Sequence, residues 1–409
     1  MRRNVVIVMS MFMMMFMSAC GGTNNQETDG QSSNDQSEVL IWHYYTGSAD
    51  ILEELIEEYN ELQEDVIIRG EYVPFNEMSR QLSVGTAGDT LPDMIIADTV
   101  NNAALASMGI LEDLTDRLEA WGQEENFLAG PMNSAIYEEQ YYGLPITTNA
   151  LGLFYNKTLF EEAGISDPPT TWDELEEMAD QLTTSNVKGF GLSAVRSEES
   201  TFQFYPFLHS AGGDYRNLDS PEANKALSFI KNLLDQGYMS QDVLTATQDD
   251  LTRMFIAENL AMMVNGPWMI DRVNESGIEY GITYIPMDEV YASVTGGDNI
   301  AITSNGDVDS AWGFATWLLE REQNERFAMG TGYYPTRADV LEEADYWQNE
   351  DLVKEFVPIM EVAEPRGPSA DWPNVSEAIQ LAIQEALTGS KSVEEALSDA
   401  AVKIAEIEE

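Results

Sequence analysis

Residues 39–98 read VLIWHYYTGSADILEELIEEYNELQEDVIIRGEYVPFNEMSRQLSVGTAGDTLPDMIIAD, and five segments within them decide the fold. Val39 to Tyr45 is a short apolar and aromatic run, the pattern of a buried strand. Asp50 to Leu62 carries Ile51, Leu52, Leu55, Ile56, Tyr59 and Leu62 at helical spacing, which predicts an amphipathic helix. Val66 to Val73 predicts a second strand, Phe75 to Val84 a second helix and Asp93 to Asp98 a third strand. Such alternation folds as a mainly parallel sheet with helices on both faces, and these α/β sheets bind ligands outside the carboxyl ends of their strands. The loops after Tyr45 and Asp98 are therefore the first candidate binding walls.

Downstream, Tyr141-Tyr142-Gly143-Leu144-Pro145 leads through Thr147 and Thr148 to a strand over Leu151 to Tyr155, and a hinge crossover is expected there. Thr171 and Glu174 form a capping box that opens a helix over Trp172 to Leu182. Ser220-Pro221 caps a helix ending near Gly237, and Ser392 with Glu395 caps a last helix with Val393, Ala396, Leu397 and Ile404 on its apolar side. At 409 residues the chain is long enough for two or three domains, and 44% hydrophobic with 10% aromatic residues is the composition of a packed protein.

The 72 Asp and Glu against 20 Lys and Arg leave a formal net charge of -52, so most carboxylates must sit in water. That field repels phosphate backbones and anionic lipid headgroups, which excludes nucleic-acid binding. It also points to a salt-rich or alkaline habitat, where ions screen the self-repulsion. One cysteine and two histidines, His43 and His209, are too few for a Cys/His zinc site, and neither histidine lies in a nucleophile-elbow or protease-like context. No GxGxxG or GxxxxGK[ST] follows a strand. Acids are so abundant that a glycosidase pair cannot be nominated from spacing. No metal and no cofactor is expected.

The first 37 residues are an address. Arg2 and Arg3 precede an apolar run from Val5 to Met17, then Ser18, Ala19 and Cys20, the charged, hydrophobic and small-residue order of an export signal. The run is too short for a spanning helix of roughly 20 residues. Met17-Ser18-Ala19-Cys20 resembles a bacterial lipobox, which implies a signal peptide over 1–19 and an acylated Cys20. Residues 20–37 then form a polar tether.

Eight Trp and 17 Tyr are many for so acidic a surface. Trp312 and Trp317 lie on an apolar helix over Ala311 to Glu320 and read as core, and Trp172 as a helix-start staple. Trp268 follows Asn265-Gly266-Pro267, and Trp372 lies between Asp371 and Pro373, both in turn chemistry where an indole can face a cleft. Flat aromatic faces stack on the C–H face of a pyranose, while carboxylates and amides bond its hydroxyls. A neutral sugar is the ligand these residue types suit. His209 and the Met262-Met263 pair read as structural.

At this point several motifs align in order. Leu91-Pro92-Asp93-Met94-Ile95-Ile96-Ala97-Asp98, Tyr142-Gly143-Leu144-Pro145, Gly152-Leu153-Phe154-Tyr155-Asn156-Lys157 and Pro169-Thr170-Thr171-Trp172-Asp173-Glu174-Leu175 resemble the family 1 extracellular solute-binding proteins of ABC importers, the maltodextrin-binding-like proteins. Ala261-Met262-Met263-Val264-Asn265-Gly266-Pro267-Trp268, Gly296-Gly297-Asp298, Gly332-Tyr333-Tyr334-Pro335-Thr336-Arg337 and Pro365-Arg366-Gly367-Pro368 continue the match.

The resemblance implies an α/β, two-lobe periplasmic-binding-protein-like fold of type II, with a hinge between discontinuous lobes. Residues 38–147 plus 298–345 would form lobe I, and 148–297 plus 346–409 lobe II. It implies a monomeric, lipid-anchored receptor on the outer face of the bacterial cell membrane that closes on an oligosaccharide and delivers it to the permease, with no catalysis. Trp268 and Trp372 would stack on sugar. His43, Tyr44 and Tyr45 would supply polar and aromatic contacts, Asn149 a hydroxyl-binding amide, and Asp98 and Asp298 hydroxyl acceptors, the latter in a turn with Gly297. One of Phe202, Phe204 and Tyr205 would face the cleft. Two other readings remain open: a glycerol-phosphate or polyol ligand held by Arg366 or Arg337, which the acidic field disfavours, and an extracellular glycoside hydrolase, which no motif supports.

Overall fold

A computed structural model describes residues 36–45, 49–367 and 369–408. The export signal, Cys20 and all but the last two residues of the tether lie outside them. Gln36 to Glu409 group as one compact unit.

The strands in chain order are β1 (Ser37–His43), β2 (Val66–Tyr72), β3 (Met94–Asp98), the short β4 (Ile136–Tyr137) and β5 (Gln140–Tyr141), and β6 (Leu144–Ala150). They continue with β7 (Gly152–Asn156), β8 (Met262–Asn265), β9 (Tyr280–Thr283), β10 (Ser293–Ile302), β11 (Tyr334–Pro335) and β12 (Ala363–Pro365). The predicted βαβαβ run is present: the helices Ala49–Leu62 and Phe75–Gly88 connect β1, β2 and β3, and β1 pairs in parallel with both others.

The large sheet runs β11-β6-β10-β3-β1-β2, with β12 on β10. It is less parallel than its opening suggests. β10 runs antiparallel to β3 and β6, and β11 antiparallel to β6. The second sheet, β8-β7-β9, is antiparallel throughout. The reason is connectivity: the long excursion between β6 and β10 returns the chain to the large sheet from the far side, and a returning strand need not keep the direction a helix crossover imposes.

Three sets of core residues follow the two sheets. Val39, Ile41, Leu52, Leu55, Met94, Ile96, Ile146, Ile300, Phe314 and Phe327 pack around the large sheet. Leu153, Phe154, Phe190, Phe207, Leu227, Met262, Met263, Phe356 and Ile379 pack around the small one. The third packs Val73, Met78, Leu82, Ile95, Leu105 and Ile110 on the second face of the large sheet. Only Leu151 separates β6 of the large sheet from β7 of the small one. The chain therefore passes from one sheet to the other three residues after Thr148.

Local chemistry sets the helix ends. The helix Trp172–Leu182 starts where predicted, with Glu174 N donating to Thr171 Oγ1 at 3.3 Å. The return arm differs: the Glu174 carboxylate accepts from Thr170 N at 2.8 Å and Thr170 Oγ1 at 2.6 Å, so the box closes one residue early. Ser392 and Glu395 make the reciprocal pair in full. Trp172 stacks on Phe229 with ring centres 4.5 Å apart, inside the second core. Trp312 and Trp317 are half-buried against the first. Among the described residues no helix is long and apolar enough to cross a membrane, and no group of three or more His, Cys, Asp or Glu is placed to hold a metal.

Candidate ligand-binding site

A cavity of about 470 Å³ opens at the carboxyl ends of β1 and β3, between the lobes. From the first lobe come Tyr44, just past β1, and Asp98, the last residue of β3. The crossing strands bring Asn149 on β6 and Gly297 and Asp298 on β10, and the second lobe brings Phe202 and Trp268. Arg366, after β12, completes the expected residues that line it.

Trp268 is half-buried in the short turn Pro267–Met269 that follows β8. Its indole folds back over its own chain, so that a Cβ on Gly266 would meet the ring at 1.9 Å. This is the physical content of Asn-Gly-Pro-Trp. Gly266 makes room for the indole, Pro267 starts the turn, and buried Asn265 ties the loop down through Nδ2 to Gln248 O and Thr252 Oγ1, both at 3.1 Å. The Trp268 ring lies 6.3 Å from Phe202 at 21° and 5.6 Å from Tyr333 at 45°, so three aromatic rings wall one side of the cavity.

Asp298 sits in a cage. Its Oδ2 accepts from Tyr45 Oη at 2.8 Å and Thr147 Oγ1 at 2.9 Å, and its Oδ1 accepts from the Tyr44 hydroxyl. Burial pushes its carboxyl up to about 6, against the three hydrogen bonds and with help from the nearby Asp98 charge. The same burial, reinforced by Asp298, holds the Tyr44 and Tyr45 hydroxyls well above their ordinary range, so both stay protonated donors. Gly297 makes the approach possible. Its φ is 139°, and a Cβ there would meet Thr147 O at 2.3 Å.

Arg366 is 1% exposed. It donates through Nη1 to Glu198 Oε1 at 2.6 Å and through Nη2 to Asp98 Oδ1 at 3.2 Å, and its guanidinium lies 4.2 Å over the Phe202 ring. Burial alone would favour losing its proton, but the two carboxylates outweigh it and the group stays charged. A guanidinium so occupied has little left for a phosphate. Arg337 is likewise taken, by Asp339 and Leu319 O.

Four expected residues lie elsewhere. Trp372 is fully buried in the second core, edge-on to Tyr205 at 5.8 Å and Tyr215 at 5.5 Å, with Nε1 donating to Glu198 Oε1 at 3.2 Å. It starts the helix Trp372–Thr388, whose apolar face turns the indole inward, so it is a core side chain and not a stacking face. Tyr205 is buried beside it, and Phe204 is buried too, which leaves Phe202 as the aromatic of that helix that faces the cavity. His43 is buried between Tyr45 and Tyr72, with its pKa lowered by burial. Tyr45 braces Asp298 from behind, its ring against Phe327.

Sequence reading missed Tyr333, Phe75, Glu198, Glu199, Asp249 and Arg253, all of which line the cavity. Tyr333 had a signal. Adjacent tyrosines on an extended segment point to opposite sides, so one of Tyr333 and Tyr334 was bound to leave the core. Tyr334 is the buried one, and Tyr333 faces the cavity. Nothing marks Glu198 among 72 acids. The lining holds five carboxylates, Asp98, Glu198, Glu199, Asp249 and Asp298, against Arg253 and Arg366, so the cavity disfavours anions.

A concave, aromatic-walled cavity between two α/β lobes defines a binding protein of the periplasmic type. Residues 54–354 match the family of bacterial extracellular solute-binding proteins, and the chain belongs to it. The maltotriose-binding protein of Pyrococcus abyssi is 25% identical over 370 residues, 85% of this chain and 78% of that protein. Among solved structures, an ABC transporter solute-binding protein from Thermotoga lettingae bound with α-D-tagatose superposes with a TM-score of 0.85 at 26% identity, covering 91% of this chain and 100% of that one. Maltose-bound MalE3 of T. maritima gives 0.84 at 25% identity over the same shares. These relatives are binding proteins, and this chain is a solute-binding component of an ABC importer, not an enzyme.

Proposed function

We propose that the protein captures a neutral oligosaccharide outside the cell by closing its two lobes on it, and hands it to an ABC permease. The observation that carries this is the wall of Trp268, Phe202 and Tyr333 facing an acid-rich cavity. Aromatic faces suit the C–H face of a sugar, and a surplus of carboxylates suits its hydroxyls and repels anions. The names of the relatives, which give maltotriose, maltose and the monosaccharide tagatose as ligands, support a neutral sugar. We place the lobes at 38–147 with 298–345 and at 148–297 with 346–409; the cores support this for residues 39–96 and 151–285, while Ala328, Tyr334, Val340 and Ala344 pack with the second core. The receptor is a monomer anchored through acylated Cys20 after loss of residues 1–19, which removes Arg2 and Arg3 and takes the formal charge from -52 to -54, and that charge suits a saline or alkaline habitat.

The test is a thermal-shift screen against malto-, xylo-, manno-, galacto- and gluco-oligosaccharides, with a glycerol phosphodiester as the anionic control. A sugar at 100 times its Kd adds about 2.7 kcal/mol and raises the melting temperature. Trp268→Ala is expected to cost at least about tenfold in affinity for that sugar, about 1.4 kcal/mol, while the free protein melts almost unchanged. A shift with the phosphodiester alone, or cleavage of any sugar, sinks the proposal.

A further inference from the structure

Three charged side chains meet across the lobes at the edge of the cavity. Asp98 ends β3 in the first lobe, and Glu198 opens the helix Glu198–Ser210 in the second. Arg366 lies between them, with Nη1 on Glu198 Oε1 at 2.6 Å and Nη2 3.2 and 3.3 Å from the two oxygens of Asp98. Each acid is anchored in its own lobe. Asp98 Oδ1 accepts from Val100 N at 3.2 Å, and Glu198 accepts from Trp372 Nε1 at 3.2 Å and from the Ser376 hydroxyl.

This is an unusual use of one of only 20 basic residues in a chain with 72 acids. A buried charge is tolerated only while its partners are in place, and separating them leaves charges without compensation. A movement of the lobes that parts Asp98 from Glu198 would therefore break the bridge. A guanidinium suits the task, because its planar fork reaches two carboxylates in different directions at once, whereas an ammonium is a single point. A second cavity, of about 700 Å³, shares Tyr44, Phe75, Asp98 and Glu198 with the first, so the two acids of the bridge stand where two chambers of the cleft adjoin.

We infer that Arg366 is a positioning residue for ligand capture: by joining Asp98 to Glu198 it latches the two lobes together and presses Phe202 into place as part of the aromatic wall. Trp372 and Ser376 serve the latch by fixing Glu198. This rests on the reading that the protein binds by lobe closure.

The Gln36–Glu409 unit contains no cysteine, since Cys20 is the only one in the chain. Spin labels at Val84→Cys and Val402→Cys, one on each lobe and each on a side chain 58% exposed, report the separation of the lobes by pulsed EPR without any sugar. Arg366→Met and Asp98→Asn are both expected to move the distance distribution outward by several ångströms, with Arg366→Lys intermediate. Should Arg366→Met fail to fold, Asp98→Asn carries the test alone, because Asp98 lies outside the second core. Distributions that are the same in the unmodified protein and the folded variants overturn the latch, whatever distance they share. Because no sugar is present, a failed latch leaves the ligand class standing, and a failed sugar screen leaves the latch open to the same measurement.

Discussion

Asp298 is 3% exposed, and its carboxyl is pushed from 3.8 to about 6, chiefly by burial. A raised folded-state value means that the folded protein holds a proton the unfolded chain has released. Its contribution to stability is therefore fully present below about pH 4 and is lost as pH rises to about 6. At about 1.36 kcal/mol per unit, the roughly two-unit shift amounts to about 3 kcal/mol. Many other carboxylates titrate in the same window, several of them with lowered values and the opposite sign, such as Asp250 and Asp339. The clean measurement is a difference. Urea unfolding of the unmodified protein and of Asp298→Asn, followed by tryptophan fluorescence at constant salt, gives two stability curves from pH 4 to 8. The stability of the unmodified protein relative to the variant is expected to fall by about 3 kcal/mol between about pH 4 and 6 and to stay level above that. A difference that is flat through the window refutes the raised carboxyl. A difference that rises with pH refutes burial as its cause, since the hydrogen bonds from Tyr44, Tyr45 and Thr147 would then dominate.

Two further outcomes follow from packing. Trp372→Ala should cost about 3–5 kcal/mol, because it empties a fully buried site between Tyr205 and Tyr215, and the loss should appear as a lower melting temperature of the ligand-free protein; an unchanged melting temperature would return Trp372 to the cleft. Gly297→Ala should destabilise by about 3 kcal/mol or more, from strain at φ 139° and a Cβ only 2.3 Å from Thr147 O, and urea unfolding at neutral pH reads the loss directly.

The sequence by itself determined much of the local structure and the family to which the chain belongs. Apolar spacing and caps located the βαβαβ run, the helix Trp172–Leu182 and the last helix, because hydrophobic periodicity and orphan helix N–H groups act over a few residues. The motif around Gly266 and Trp268 was legible for the same reason, since the room for the indole comes from its own neighbours. Which aromatic faces the cavity was not. Phe202 and Tyr205 lie three positions apart on one helix, and Trp268 and Trp372 both sit beside proline. Tertiary packing within the second lobe buries Tyr205 and Trp372 against Tyr215 and leaves Phe202 and Trp268 on the side that lines the cavity. The charges are the extreme case. Asp98, Glu198 and Arg366 are 100 and 168 residues apart in the chain and become one buried bridge only when β3, the start of one helix and the segment after β12 meet. A charge's fate depends on the dielectric and the partners that folding brings to it, and these are properties of the assembled molecule rather than of any local stretch.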